Sequence, residues 1–104
     1  MGIQKFEDLI AWQKAYNLCL VIYRLTGNFP REEQFGLAAH LRKTALSCPS
    51  NIEEGYERKN TKEFNTFIRI ALGSLAELKT QVLLAKDLNF IPEIEFISCL
   101  EKID

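Results

Sequence analysis

The sequence contains one histidine, His40, and three cysteines, Cys19, Cys48 and Cys99, set far apart. No pair among them has the spacing of metal ligands, so no zinc site is expected. The paired Glu-x-x-His motifs of di-iron bundles are missing. The glycines are isolated, which excludes a phosphate loop and a dinucleotide fingerprint. The serines have no triad-like company. Glu53 and Glu54 are adjacent, so on a helix they point about 100° apart and cannot act as a carboxylate pair. Neither enzymatic activity nor a cofactor is expected from these residues. No apolar run approaches the ~20 residues of a membrane span, and the opening MGIQKFEDLI lacks a long apolar stretch. A cytoplasmic protein that does not enter a membrane is therefore the expectation. Gly2 would suggest myristoylation, but residue 6 is Phe rather than Ser or Thr. Charge of one sign is also lacking: 13 Lys and Arg face 14 Asp and Glu, for a net charge of −1. That balance predicts no strong pull toward nucleic acid or an anionic surface. The chain's end is acidic, with Glu93, Glu95, Glu101 and Asp104 against Lys102.

What the chain does have is apolar residues, 47% of its 104, enough for one domain spanning residues 1–104. The cysteines lie among them and read as reduced, buried thiols. Prolines fall only at 30, 49 and 92, and the stretches between them carry helical rather than alternating periodicity. The first helix is expected from Asp8, as N-cap, to residue 26, with Gly27 following. Trp12, Ala15, Tyr16, Cys19, Ile22 and Tyr23 form one face of it. Ile10, Leu18, Val21 and Leu25 form a second apolar stripe. The second helix follows Pro30, carries Leu37, Ala38, Leu41, Ala45 and Cys48 on one side, and continues through Pro49 to stop at Gly55. The third is capped near Asn60, with Glu63 completing a capping box. It shows one continuous face from Phe64 through Leu78 to Ala85. Beside that face runs a flank that includes Ile70, Ser74, Glu77, Gln81 and Leu88. The fourth begins at Pro92 and has about three turns, half the length of the third. It leaves part of the groove between the other helices uncovered. The expectation is an all-α, antiparallel up-and-down four-helix bundle with a proline-kinked second helix and a short fourth helix.

Two surfaces are candidates for function. The first is surplus apolar surface, which cannot all face one core and calls for self-association or a partner protein. Its residues are Ile10, Leu18, Val21, Leu25, Ile70, Leu84 and Leu88. The second is a modest basic surface of Arg42, Lys43, Arg58, Lys59 and Lys62, near Tyr56, suited to an RNA or DNA backbone. Interleaved acids, Glu53, Glu54, Glu57 and Glu63, largely cancel its field. The polar run SCPSNIEEGYERKNTKEF reads mainly as a hinge built on Pro49, Ser50, Asn51, Glu54 and Gly55. There Asn51 and Glu54 should hydrogen-bond within the protein, leaving Arg58 and Lys59 facing outward.

The segments FEDLIAWQKA, LRKTALSCPSNIEEGYER and TKEFNTFIRIALGSLAEL, with Gln81 after them, resemble the four-helix bundle family named for proteins encoded in 23S rRNA intervening sequences. That family is related to the accessory variability determinant proteins of diversity-generating retroelements. The resemblance covers about residues 6–91 and is most specific at PSNIEEG and ALGSLAEL. It implies an up-and-down bundle without enzymatic activity and self-association into a homo-oligomer, a pentamer in the accessory members. It also implies, for those members, binding to nucleic acid and to a reverse transcriptase. Glu53 stands where the family has a small apolar residue, and the acidic balance departs from the basic accessory members.

Overall fold

The computed structural model describes residues 5–103. Short 3-10 turns at Phe6–Asp8 and Arg31–Glu33 precede the first two α-helices. The helices are α1 (Ile10–Thr26), α2 (Leu37–Glu57), α3 (Thr61–Asp87) and α4 (Glu93–Ile103). They form a four-helix bundle in which α1 packs on α2, α2 on α3, and α4 between α3 and α1. The core is made where these faces meet, with Leu18, Ile22, Leu41, Leu78, Val82 and Cys99 removed from water.

The helix ends explain themselves from short-range chemistry, and three of them differ from expectation. Asp8 is not the N-cap residue of α1. Leu9 precedes the helix with no side-chain cap. The entry is set instead by Phe6, whose ring meets Trp12 edge-on at 5.2 Å, and by Leu9, which packs on the Ala15–Cys48–Ile52 cluster. Apolar burial outweighs a single capping hydrogen bond, worth about 1 kcal/mol. Gly27 has φ −62°, so it is not a left-handed terminator. The Gln34 amide donates to the carbonyls of Thr26 and Phe29, both at 3.1 Å, and satisfies the end of α1 in its place.

α2 runs as one helix through Pro49 and past Gly55 to Glu57. Gly55 does not end it. The left-handed residue of the α2–α3 turn is Lys59, at φ 53°. Asn60 then caps α3 as the sequence implies, its Oδ1 accepting from the Glu63 amide at 3.1 Å. At the far end of α3, Asn89 is left-handed, at φ 64°. Phe90 N–H reaches the Ala85 carbonyl and Asn89 N–H that of Lys86, both at 2.9 Å. This is a Schellman closure, and it carries Phe90 onto the core.

α1 carries the main correction to the expected surfaces. Leu18 is only 2% exposed and belongs to the core. Leu25 packs against the core and Val21 is half-buried. Tyr16 and Tyr23, expected inside, are both 45% exposed. The covered arc of α1 therefore centres on Ala15, Leu18, Cys19 and Ile22. It lies between the two stripes because α2 and α4 press on the helix from two sides. Of the α1 residues assigned to an interface, only Ile10 stays largely exposed.

Candidate interaction surfaces

Asn51 and Glu54 both pair within the chain, as expected. The Asn51 amide donates to the Ser47 carbonyl at 2.8 Å and to Ser47 Oγ at 2.9 Å. Ser47 Oγ in turn lies 2.8 Å from Ser74 Oγ, which stitches α2 to α3. Glu54 pairs with Arg58 at 3.4 Å one turn on. Pro49 is buried and Ser50 exposed. Gly55 has a role its sequence position hides. A Cβ there would lie 2.8 Å from Phe67 Cβ, so its lack of a side chain is what lets α3 lie so close to α2.

Among the basic residues, Arg42 is turned inward. Arg42 donates from Nε to Thr26 Oγ1 at 2.7 Å and lies over the Tyr23 ring. Arg58 is exposed, as expected, while it pairs with Glu54 on the surface and covers the Phe67 ring at 5.1 Å. Lys43, Lys59 and Lys62 are exposed. Lys43 lies within α2 and Lys59 in the turn beyond Glu57, so about 21 Å of helix separates Lys43 from that turn. The five residues do not converge on one patch.

The outer face of α3 is organised differently. Thr66, Ile70, Gly73, Glu77, Thr80 and Leu84 follow one another at steps of four and three, which places them on one line along the helix. Ile70, Leu84 and the neighbouring Leu88 are 46%, 48% and 48% exposed. A Cβ at Gly73 would meet nothing within 4 Å beyond its own turn. Glu77 accepts weakly from Thr44 Oγ1 at 3.5 Å. The carbonyl oxygen of the Gln81 amide is buried without a hydrogen-bond partner. His40 is exposed at the edge of the polar cleft that Glu77 and Gln81 line between α2 and α3.

Sequence reasoning missed Leu72, Leu83, Ile94 and Ile97, all 46% exposed or more. On the wheel Leu72 and Leu83 border the covered face of α3, and only the reach of α4 decides their exposure. Among the described residues no three His, Cys, Asp or Glu converge to hold a metal. Nor is any described helix long and apolar enough to cross a membrane.

The family of 23S rRNA-intervening sequence proteins matches residues 7–104. The chain belongs to that family. No curated protein matches it. For this family member the match includes both the α2–α3 joint and the outer face of α3, and it extends through α4.

The thiols of this family member are free and buried. Burial pushes the Cys48 thiol up from 9.0 to about 11, with the nearby Cys19 adding to the shift. Burial raises Cys19 and Cys99 as well. The expected result is that a thiol reagent at pH 8 leaves the native protein unlabelled and modifies three cysteines once denaturant is added. Because the folded state holds these protons more tightly, the stability they contribute is complete below pH 9 and falls as pH rises through about 11. Rapid native-state labelling would show that the helices part easily.

Proposed function

We propose that this member of the 23S rRNA-intervening sequence family is a non-enzymatic scaffold that self-associates through the outer face of α3. Gly73 carries the reading. A glycine within a helix costs roughly 0.5–1 kcal/mol relative to alanine. At Gly55 that cost is offset by close packing within the chain, but at Gly73 no neighbour benefits. Close approach by a second backbone supplies the missing reason. Ile70 and Leu84 flank the glycine and provide the apolar area such a contact would bury. The homo-oligomer implied by the resemblance, a ring of up to five chains, is the form to look for.

Light scattering after size exclusion tests this. An assembly is expected at micromolar concentration, and Leu84→Glu should reduce it to monomer with helicity unchanged, since Leu84 is 48% exposed. Gly73→Ala should separate two effects. It should stabilise the isolated bundle by roughly 0.5–1 kcal/mol while weakening the assembly. A wild-type chain that elutes as a clean monomer overturns the proposal. The nucleic-acid alternative draws less support, because Arg42 is held by Thr26 and Tyr23, Glu54 pairs with Arg58, and Lys43 is distant from Lys59 and Lys62.

A further inference from the structure

The seam between α1 and α2 holds an aromatic cluster beside an unpaired carboxylate. Trp12 and Tyr16 lie one turn apart on α1, and their rings stack 4.9 Å apart and 16° from parallel. Phe6 meets Trp12 edge-on. From α2, Leu46, Pro49, Ser50 and Glu53 follow at steps of three, one and three, which puts them on one face. Together these side chains line one recess of about 230 Å³. Glu53 is half-buried there, and among the described residues its carboxylate has neither an ion pair nor a hydrogen bond. A carboxylate partly withdrawn from water and left without a partner costs folding free energy. Elsewhere the chain covers its aromatic rings with its own cations: Arg42 over Tyr23, Arg58 over Phe67 and Lys86 over Phe96. None of the described Lys or Arg residues covers Phe6, Trp12 or Tyr16. The recess therefore has the rings and the negative charge of a cation site, and no described cation fills it.

The geometry selects among cations. A quaternary ammonium is held best by rings that face inward around it as the walls of a cage. Here Trp12 and Tyr16 stack on each other instead, and Tyr16 is 45% exposed, so the recess is an open shelf. A lysine ammonium is compact and strongly hydrated, and it gains little from such a shelf. An arginine guanidinium is flat and more weakly hydrated. It can lie along a ring and donate two parallel N–H bonds to the Glu53 carboxylate. The exposed Ser50 hydroxyl can accept a further N–H. Leu46, also exposed, offers apolar surface to the arginine methylenes. We infer that this recess docks an arginine side chain of a partner protein. None of its lining residues belongs to α3, so the inference is independent of self-association through the outer face of that helix.

Trp12 is the chain's one tryptophan, so its fluorescence reports on the recess without a label. The probes are an end-blocked Gly-Arg-Gly peptide, the same peptide with lysine or with citrulline at its centre, and tetramethylammonium. The arginine peptide should change the Trp12 emission with millimolar half-saturation, because a single side chain makes the whole contact. Citrulline keeps the shape of arginine without its charge and should bind about tenfold more weakly. Lysine and tetramethylammonium should bind about threefold more weakly than arginine. Added salt should weaken the arginine peptide. Glu53→Gln should weaken it about tenfold and Tyr16→Leu about threefold. Glutamine has the shape of glutamate and Tyr16 is exposed, so both variants should keep native helicity. Glu57→Gln, one turn beyond Glu53 and outside the recess, should bind as the wild type does. The inference is overturned if the emission does not change up to about 50 mM arginine peptide, or if the citrulline peptide binds equally. It is also overturned if Glu53→Gln binds as the wild type does. Tetramethylammonium binding tighter than arginine would make the recess a quaternary-ammonium site. A change in oligomer mass with Glu53→Gln would make it a self-interface filled by a second copy. Either outcome rejects the partner's arginine.

Discussion

Gly55→Val is expected to destabilise the bundle by about 3 kcal/mol or more, and Gly55→Ala by about 1–2 kcal/mol. The sign is the informative part. In an ordinary exposed helix, replacing glycine by alanine gains up to about 1 kcal/mol. Here the added Cβ would stand 2.8 Å from Phe67 Cβ and 3.3 Å from both Phe64 Cδ1 and the Phe64 carbonyl oxygen. Phe67 Cβ is fixed to the α3 backbone and cannot swing aside. The carbonyl oxygen is backbone as well. Relief requires α2 and α3 to separate along the line where Ser47 meets Ser74. Thermal unfolding reads this directly, since 1 kcal/mol corresponds to about 4–8 °C for a domain near this size. A rise in Tm for Gly55→Ala would show that the helices are not in close contact here.

Leu78→Ala is expected to cost about 3–5 kcal/mol. Leu78 lies midway along α3 and is 0% exposed. It belongs to the cluster that joins all four helices through Leu18, Leu41, Val82 and Cys99. Removing its branched end leaves a void bounded by helices held on several sides, so collapse around it is limited. Domains are stable by only about 5–15 kcal/mol, so this one change removes a large share. Urea unfolding should show the midpoint falling with little change in slope. A loss under about 1 kcal/mol would mean that the core relaxes freely around position 78.

The contrast between Gly55 and Gly73 shows how far the sequence can be read. Both are single glycines inside helical periodicity, and nothing local separates them. Gly55 reads as a helix stop in sequence because glycine commonly follows a last turn. The structure gives the left-handed turn to Lys59 and uses Gly55 for contact with Phe64 and Phe67. Those phenylalanines are nine and twelve residues away, beyond the reach of local patterning. The same limit applies to Leu18. Its stripe was visible, but the wheel could not say which of two stripes the neighbours would cover.

By itself the sequence determined four helices and their rough limits, the Asn60 cap, and the internal pairing of Asn51 and Glu54. These follow from periodicity, capping chemistry and residue spacing, which act over one or two turns. Only the tertiary structure decided that Leu18 is core, that Arg42 turns onto Thr26 and Tyr23, and that Gly55 is needed for contact with Phe67. Each of those depends on where a second helix lies. That position is set by the summed packing of side chains distant in sequence, which no single helix records in its own pattern.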